Sequence, residues 1–119
     1  MTRVALIASR IRVEEKLLLA ALEATGADVT LVNDDQLVFI AASGAVPSAA
    51  TGAGAAPVAA DVVLERSLSA ARGIYALRLL RSAGIPTVNR YETAATCWDK
   101  LLTTAALADA GVPQPLTRV

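Results

Sequence analysis

The sequence predicts an α/β domain built on a parallel sheet of about four strands flanked by helices. Three features point there: a short apolar run opens the chain, apolar stripes of helical spacing follow two strand candidates, and a glycine stands where each of the three longer helices should stop. Strand, helix and strand in that order imply a right-handed crossover and therefore parallel strands.

Val4-Ala5-Leu6-Ile7-Ala8 is a continuous apolar run, as expected for a strand buried on both faces. Leu17, Leu18, Ala21, Leu22 and Thr25 then recur at helical spacing, with Glu14, Glu15 and Glu23 mostly off that stripe. Glutamates in the first turn suit the helix dipole, and Gly26 supplies a stop. Val29-Thr30-Leu31-Val32 reads as the second strand, ended by Asn33-Asp34-Asp35, and Leu37–Ile40 allows a short extra one.

The third strand is Val62-Val63-Leu64-Glu65. A helix follows from about Ala70 to Ala83, with Ile74, Leu77 and Leu80 or Arg81 inward and Arg72, Tyr75, Arg78 and Ser82 outward. Ser67 or Ser69 caps it and Gly84 ends it. Ile85-Pro86-Thr87-Val88 is the fourth strand, with proline tolerable near its start. Asn89-Arg90-Tyr91-Glu92 has the spacing of a capping box and opens a short helix. Asp99 starts another, carrying Leu101, Leu102, Ala105 and Ala108, and Gly111 closes it. Val112-Pro113-Gln114-Pro115 reads as a stiff linker, and Leu116-Thr117-Arg118-Val119 as the start of a further strand.

Between the second and third strands, Ala41–Ala60 holds ten alanines, three glycines, two prolines and no charge, with no periodicity. This composition predicts a flexible surface insertion, with a lid or docking loop as the functional alternative.

Composition removes several function classes. Eleven basic and eleven acidic residues cancel, against a nucleic-acid binder or a polybasic membrane-surface protein. With no histidine and one cysteine, Cys97, the chain cannot form an internal disulfide, a Ser-His-Asp triad or an ordinary zinc site. The opening apolar run is too short to span a bilayer and no cleavage pattern follows it, so the cytoplasm is expected. Cys97 is expected to be a small buried residue, and Trp98 to pack in the core or, alternatively, at a domain contact.

Ligands of an open parallel sheet gather beyond the carboxyl ends of its strands. Here those ends carry Ser9-Arg10 with Arg12, then Arg66-Ser67, then Asn89-Arg90. Nine of the eleven basic residues are arginine, whose donor fork suits carboxylate or phosphate. The rim thus reads either as an anion-recognition edge, or as arginines that pair with Glu14, Glu15, Asp34, Asp35, Glu65 and Glu92. Ala8-Ser9-Arg10-Ile11-Arg12-Val13 has no glycine for a pyrophosphate turn, and no Walker-type loop occurs. The acidic cluster of a response-regulator-like sensor is missing from the same place. Lys100 lies in the first turn of its helix, where a cation opposes the dipole by about 0.3–1 kcal/mol. An incoming anion would offset that; a solvated lysine is the plain alternative.

The stretch Leu64–Leu116 resembles the LysX-type ligases of the amino-group-carrier-protein pathway of lysine and arginine biosynthesis. It is less similar to the ribosomal-protein glutamate ligase that shares their ATP-grasp architecture. The resemblance rests on Leu64-Glu65-Arg66-Ser67 with Ser69 and Arg72-Gly73, Gly84-Ile85-Pro86-Thr87-Val88-Asn89-Arg90, Asp99-Lys100, and Leu107-Ala108-Asp109-Ala110-Gly111-Val112-Pro113-Gln114-Pro115. Ile11-Arg12-Val13-Glu14-Glu15-Lys16 adds to it.

The resemblance implies a Rossmann-like pre-ATP-grasp domain over residues 1–90, a helical connection over 91–115 and the start of an ATP-grasp domain at 116–119. It implies an enzyme that uses ATP and Mg2+ to activate a carboxylate as an acyl phosphate for attack by an amine. The carboxylate would be the C-terminal glutamate of a small acidic carrier protein, and the amine that of aminoadipate or glutamate. Lys100 would reach the ATP phosphates, and Arg10, Arg12, Arg66, Ser67, Asn89 and Arg90 would line the substrate side. No residue is assigned to catalysis or to a metal, no nucleic-acid or membrane partner is expected, and a homo-oligomer is compatible. The ATP-grasp elements of such ligases are not among these residues, so the chain by itself is expected to be inactive. A non-catalytic docking module of the same fold is the alternative.

Overall fold

The computed structural model describes residues 1–38, 48–51 and 54–118. Its elements are β1 (Arg3–Ala8), α1 (Val13–Ala24), β2 (Asp28–Asn33), a 3-10 turn (Asp34–Gln36), β3 (Leu37–Val38), β4 (Ser48–Thr51) and β5 (Gly54–Pro57). They continue as β6 (Val62–Arg66), α2 (Ala70–Ser82), β7 (Thr87–Val88), α3 (Tyr91–Trp98) and α4 (Lys100–Asp109). The main sheet is four-stranded and parallel, in the order β2-β1-β6-β7, as the sequence predicts. Ala8 lies in register with Asn33 on one side and Arg66 on the other, so these three strand ends meet at one edge. From β1 the chain winds outward to β2, then returns across β1 to β6. The switch in direction therefore falls between β1 and β6, where an open sheet forms its crevice.

Every residue from Val4 to Ala8 is buried, which accounts for the unbroken apolar run of the central strand. Ala5 and Ile7 pack with Val63 of β6 and with Ala76 and Leu80 of α2. Alternation sends Val4, Leu6 and Ala8 to the opposite face, where a right-handed β1-α1-β2 crossover puts α1. On α2 the inward line is Gly73, Ala76, Leu77 and Leu80; Ser69 is the cap, its hydroxyl accepting from the Arg72 N–H at 3.4 Å. Gly26, Gly84 and Gly111 all take positive φ just past a helix, the conformation in which a side chain would be strained.

Several expectations are corrected. Part of the Ala41–Ala60 stretch forms strands: β4 and β5 pair antiparallel, and β3 extends them into a second, three-stranded sheet. Residues 41–47, 52 and 53 of that expectation lie outside the described residues, as do Phe39 and Ile40 of the short extra strand. Cross-strand hydrogen bonding does not depend on side chains, and alternation is unreadable where almost every residue is alanine. Val58, from the same stretch, is only 6% exposed and belongs to the core.

On α1 the predicted stripe is rotated: Leu17 is 66% exposed and Ala21 is exposed, whereas Glu15 is fully buried. The inward positions are Glu15, Leu18, Leu19 and Leu22, because two arginines at the sheet edge take up the Glu15 carboxylate. The capping box predicted at Asn89–Glu92 does not form. Arg90 is the N-cap of α3 without a side-chain bond, and Glu92 pairs instead with Arg81 at 2.6 Å. Leu116–Arg118 is irregular rather than strand, and Val119 lies outside the described residues. Cys97 and Trp98 are exposed, not buried: α3 packs on α2 and α4, and nothing among the described residues covers its outer side. No helix among the described residues is long and apolar enough to cross a membrane.

Candidate functional site

The rim at the carboxyl ends of β1, β2 and β6 is organised by two buried acids. Glu15, in the first turn of α1, is fully buried and accepts five hydrogen bonds. Its Oε2 takes the Arg12 backbone N–H at 3.1 Å and Arg12 Nε at 3.0 Å. Its Oε1 takes the terminal guanidinium nitrogens of Arg12 at 2.8 Å and Arg66 at 2.9 Å, with Arg66 Nε at 3.2 Å. Hydrogen bonding from Arg12 first, and from Arg66, outweighs burial and holds the carboxyl at about 2, below its ordinary 4.5.

The second acid is Asp34, 4% exposed at the end of β2. The Ser9 hydroxyl donates to Asp34 Oδ2 at 2.5 Å and accepts from the Leu68 backbone N–H at 2.7 Å, so one side chain ties three strand ends together. Arg72 reaches Asp34 Oδ1 at 3.4 Å. At the opposite end of the sheet, Asp61 accepts the Arg3 guanidinium at 2.7 Å and the Arg3 backbone N–H at 2.8 Å. The side-chain hydrogen bond from Arg3 chiefly brings its carboxyl to about 2.

These contacts match the pairing reading for three rim arginines, Arg12, Arg66 and Arg72. Arg12 and Arg66 are paired internally by Glu15, and Arg12 also lies 4.0 Å from the Glu14 carboxylate, so two partly exposed guanidiniums face two carboxylates. The pairing holds the forks of Arg12 and Arg66 in place at the strand ends, and their part-exposed donors remain open to an approaching anion. Arg10 is exposed beside it. Ser67 follows Arg66 and its backbone N–H donates to Glu65 Oε1 at 2.6 Å. Its own hydroxyl oxygen is buried with no hydrogen-bond partner among the described residues.

The remaining predicted residues are not gathered with these. Ser67 lines a cleft of about 220 Å3 between α2 and α3, whereas Arg90 lines an open groove of about 570 Å3 with Arg81, Thr87 and Tyr91. The Arg78 and Arg81 guanidiniums lie 6.0 and 5.9 Å from the Tyr91 ring centroid, and of the two only Arg81 lines the groove. Asn89 is exposed at the end of β7. Lys100 is the first residue of α4 and exposed; the Asp99 carboxylate before it caps the helix, accepting from the Leu102 N–H at 3.0 Å. That neighbouring acid offsets the unfavourable placement of a cation at a helix start.

Sequence reasoning offered Glu15 and Asp34 as arginine partners, as the structure has them, but missed the burial of Glu15 and the bond from Ser9 to Asp34. Glu15 was detectable, since it lies three and seven residues before Leu18 and Leu22 and so shares their face. It also follows Arg12 by three, the reach of a side chain back to an N-cap N–H. Ser9 and Asp34 carry no local signal, because their contact depends on strand register.

No group of three or more Asp, Glu or Cys among the described residues is arranged to hold a metal ion. The β1–α1 turn also lacks glycine, so these residues do not fit an ATP–Mg2+ site of their own.

Residues 4–96 match the model of the LysX preATP-grasp domain. The chain is 35% identical over 115 residues to the glutamate–LysW ligase ArgX of Sulfolobus acidocaldarius, a match covering 95% of the chain and 36% of that protein. It is 32% identical to the ArgX of Sulfurisphaera tokodaii, with the same coverage. A RimK domain ATP-grasp protein from Sphaerobacter thermophilus superposes with a TM-score of 0.73 at 32% identity, covering 98% of the chain and 41% of that structure. The chain thus spans about a third of the length of the curated relatives it matches, 36% in each.

Proposed function

The chain belongs to the LysX pre-ATP-grasp family, and on that footing we propose that it forms the first domain of an ATP-dependent ligase. The ligase joins the amine of an amino acid, of the glutamate or aminoadipate type, to the C-terminal glutamate of a small acidic carrier protein. An acyl phosphate activates the carboxylate. The observation that carries this reading is the family match over residues 4–96, joined to relatives named as glutamate–LysW ligases.

In this reading residues 1–90 are the pre-ATP-grasp domain, residues 91–115 lead away from it, and an ATP-grasp domain begins at about 116. ATP and Mg2+ are held mainly by residues outside those described, and the chain by itself does not turn over. Lys100 is assigned to the ATP phosphates on the family resemblance, and its exposure in the first turn of α4 supports that. Arg10, Arg12, Arg66, Ser67, Asn89 and Arg90 are assigned to the substrate side. The Glu15 cluster supports the arginine assignments, as it holds the Arg12 and Arg66 forks so that a carboxylate could bind without a mobile side chain having to be ordered first. A cytoplasmic setting and self-association are compatible with this role.

The test is ADP release by the gene product that carries this chain. Supplied with ATP, Mg2+, glutamate or aminoadipate and a carrier ending in glutamate, it should release ADP only when carrier and amino acid are both present. ADP release indifferent to the carrier would overturn the ligase assignment, and no release with any acidic amino acid would leave a docking module.

A further inference from the structure

Three acids approach the carboxyl edge of the sheet from β2, α1 and β6, and their charge accounts differ. Glu15 is paired by Arg12 and Arg66, and Asp34 by Arg72. Glu65 has no arginine or lysine partner among the described residues; its Oε1 accepts one backbone N–H, that of Ser67, and its Oε2 accepts none. The neighbouring cations that could serve it, Arg66 and Arg72, are the ones engaged by Glu15 and Asp34. The amino-terminal turns of α2 offer only a partial positive charge.

Glu65 lines the cleft of about 220 Å3 between α2 and α3, together with Ser67, Gly73, Ile74, Cys97 and Trp98. Gly73 keeps the polar end open: a Cβ there would lie 2.8 Å from Glu65 Oε2. Ser67 belongs to the wall of the same cleft, and its hydroxyl oxygen is buried and unpartnered among the described residues, a cost of about 1–3 kcal/mol that a ligand displacing the wall slightly could relieve. The far walls are apolar, from Ile74, Leu77 and Trp98. The volume matches on the order of seven water molecules, the size of a short carbon chain with one polar head.

We propose that this cleft binds a primary ammonium group carried on a short aliphatic chain, with Glu65 as counter-ion and Ser67 as a second hydrogen-bond acceptor. An ammonium supplies the three donors that a carboxylate oxygen and a hydroxyl oxygen lack here, and it restores neutrality at the unpaired acid. A carboxylate head would meet Glu65 with like charge, and an alcohol would leave the charge uncompensated. The identification of that amine with the ligase's amino-acid substrate rests on the reading above; the preference of the cleft for an ammonium head does not.

The single tryptophan and single cysteine both stand in the cleft wall, so occupancy is readable without labels. Trp98 fluorescence and the rate of Cys97 alkylation by iodoacetamide are followed while the chain is titrated with n-butylammonium chloride, butan-1-ol or sodium butyrate at matched ionic strength. The expected result is a saturable Trp98 change and slowed alkylation with n-butylammonium, at least tenfold weaker with butanol and absent with butyrate. Glu65→Gln, which preserves shape, should weaken n-butylammonium at least tenfold. Ser67→Ala, which breaks no hydrogen bond among the described residues, should weaken it severalfold with an unchanged unfolding midpoint. Equal responses to butanol and n-butylammonium, a response that does not saturate, or unaltered binding in the Glu65→Gln chain would overturn the proposal. Should Glu65→Gln fail to fold, Ser67→Ala and the butanol comparison decide. Since ADP release plays no part here, failure of the cleft proposal and failure of the ligase reading are separate outcomes.

Discussion

Replacing Gly73 by alanine sets two opposing effects against each other inside α2. Alanine at a helix interior is favoured over glycine by about 0.8–1 kcal/mol, so propensity alone predicts a gain. The structure predicts a loss. The new Cβ would lie 2.8 Å from Glu65 Oε2, 2.9 Å from Cδ and 3.0 Å from Oε1, all inside ordinary van der Waals contact. The carboxylate must swing away, and it then gives up the 2.6 Å bond from the Ser67 N–H. A hydrogen bond to a charged group contributes about 1.5–3 kcal/mol, which exceeds the propensity gain. The expected net effect is a destabilisation of about 0.5–2 kcal/mol. Urea unfolding followed by far-ultraviolet circular dichroism resolves a change of that size. In a Glu65→Ala background the obstruction is gone, and Gly73→Ala should there stabilise the chain by up to about 1 kcal/mol. A stabilising Gly73→Ala in the unaltered chain, or the same effect in both backgrounds, would refute the reasoning.

The other predictions concern acid, core and site. Glu15 and Asp61 each titrate near 2 when folded, below their ordinary 4.5 and 3.8, so their contribution is full above about 4.5 and is lost as pH falls towards 2. Urea midpoints should therefore drop between pH 5 and pH 3, and Glu15→Gln should flatten that drop. Leu80 is fully buried in the cluster between α2 and the sheet, and Leu80→Ala should cost about 2–5 kcal/mol by the same assay. In the gene product carrying this chain, Lys100→Ala should lower carrier-dependent ADP release roughly tenfold or more, if a charge-assisted contact to phosphate is lost. Arg66→Ala should raise the KM for the amino acid; an effect on folding alone would make Arg66 a structural partner of Glu15 and nothing more.

How much was legible beforehand varies with the kind of signal. Val4–Ala8, Val62–Glu65 and the helix after Ser69 are readable because each has a strong apolar period bounded by a stop or cap. Ala41–Ala60 was not, since alanine gives no contrast between the two faces of a strand, and β4 and β5 are held by backbone pairing. The inner face of α1 was misjudged because an acid was counted as outward by type. Its burial follows from two arginines, one of them 51 residues distant in the chain.

The sequence by itself determined the parallel α/β architecture, the order of the strands and helices of the main sheet layer and the presence of arginines at the strand ends. Those follow from local period, turn residues and the handedness of crossovers. Only the tertiary structure decided what Arg66 does, since its pairing with Glu15 requires β1 and β6 to be neighbours, whereas the Arg12–Glu15 pair is local. The same holds for Glu65: which acid at an edge is left without a cation is settled by register and packing, and no residue type announces it.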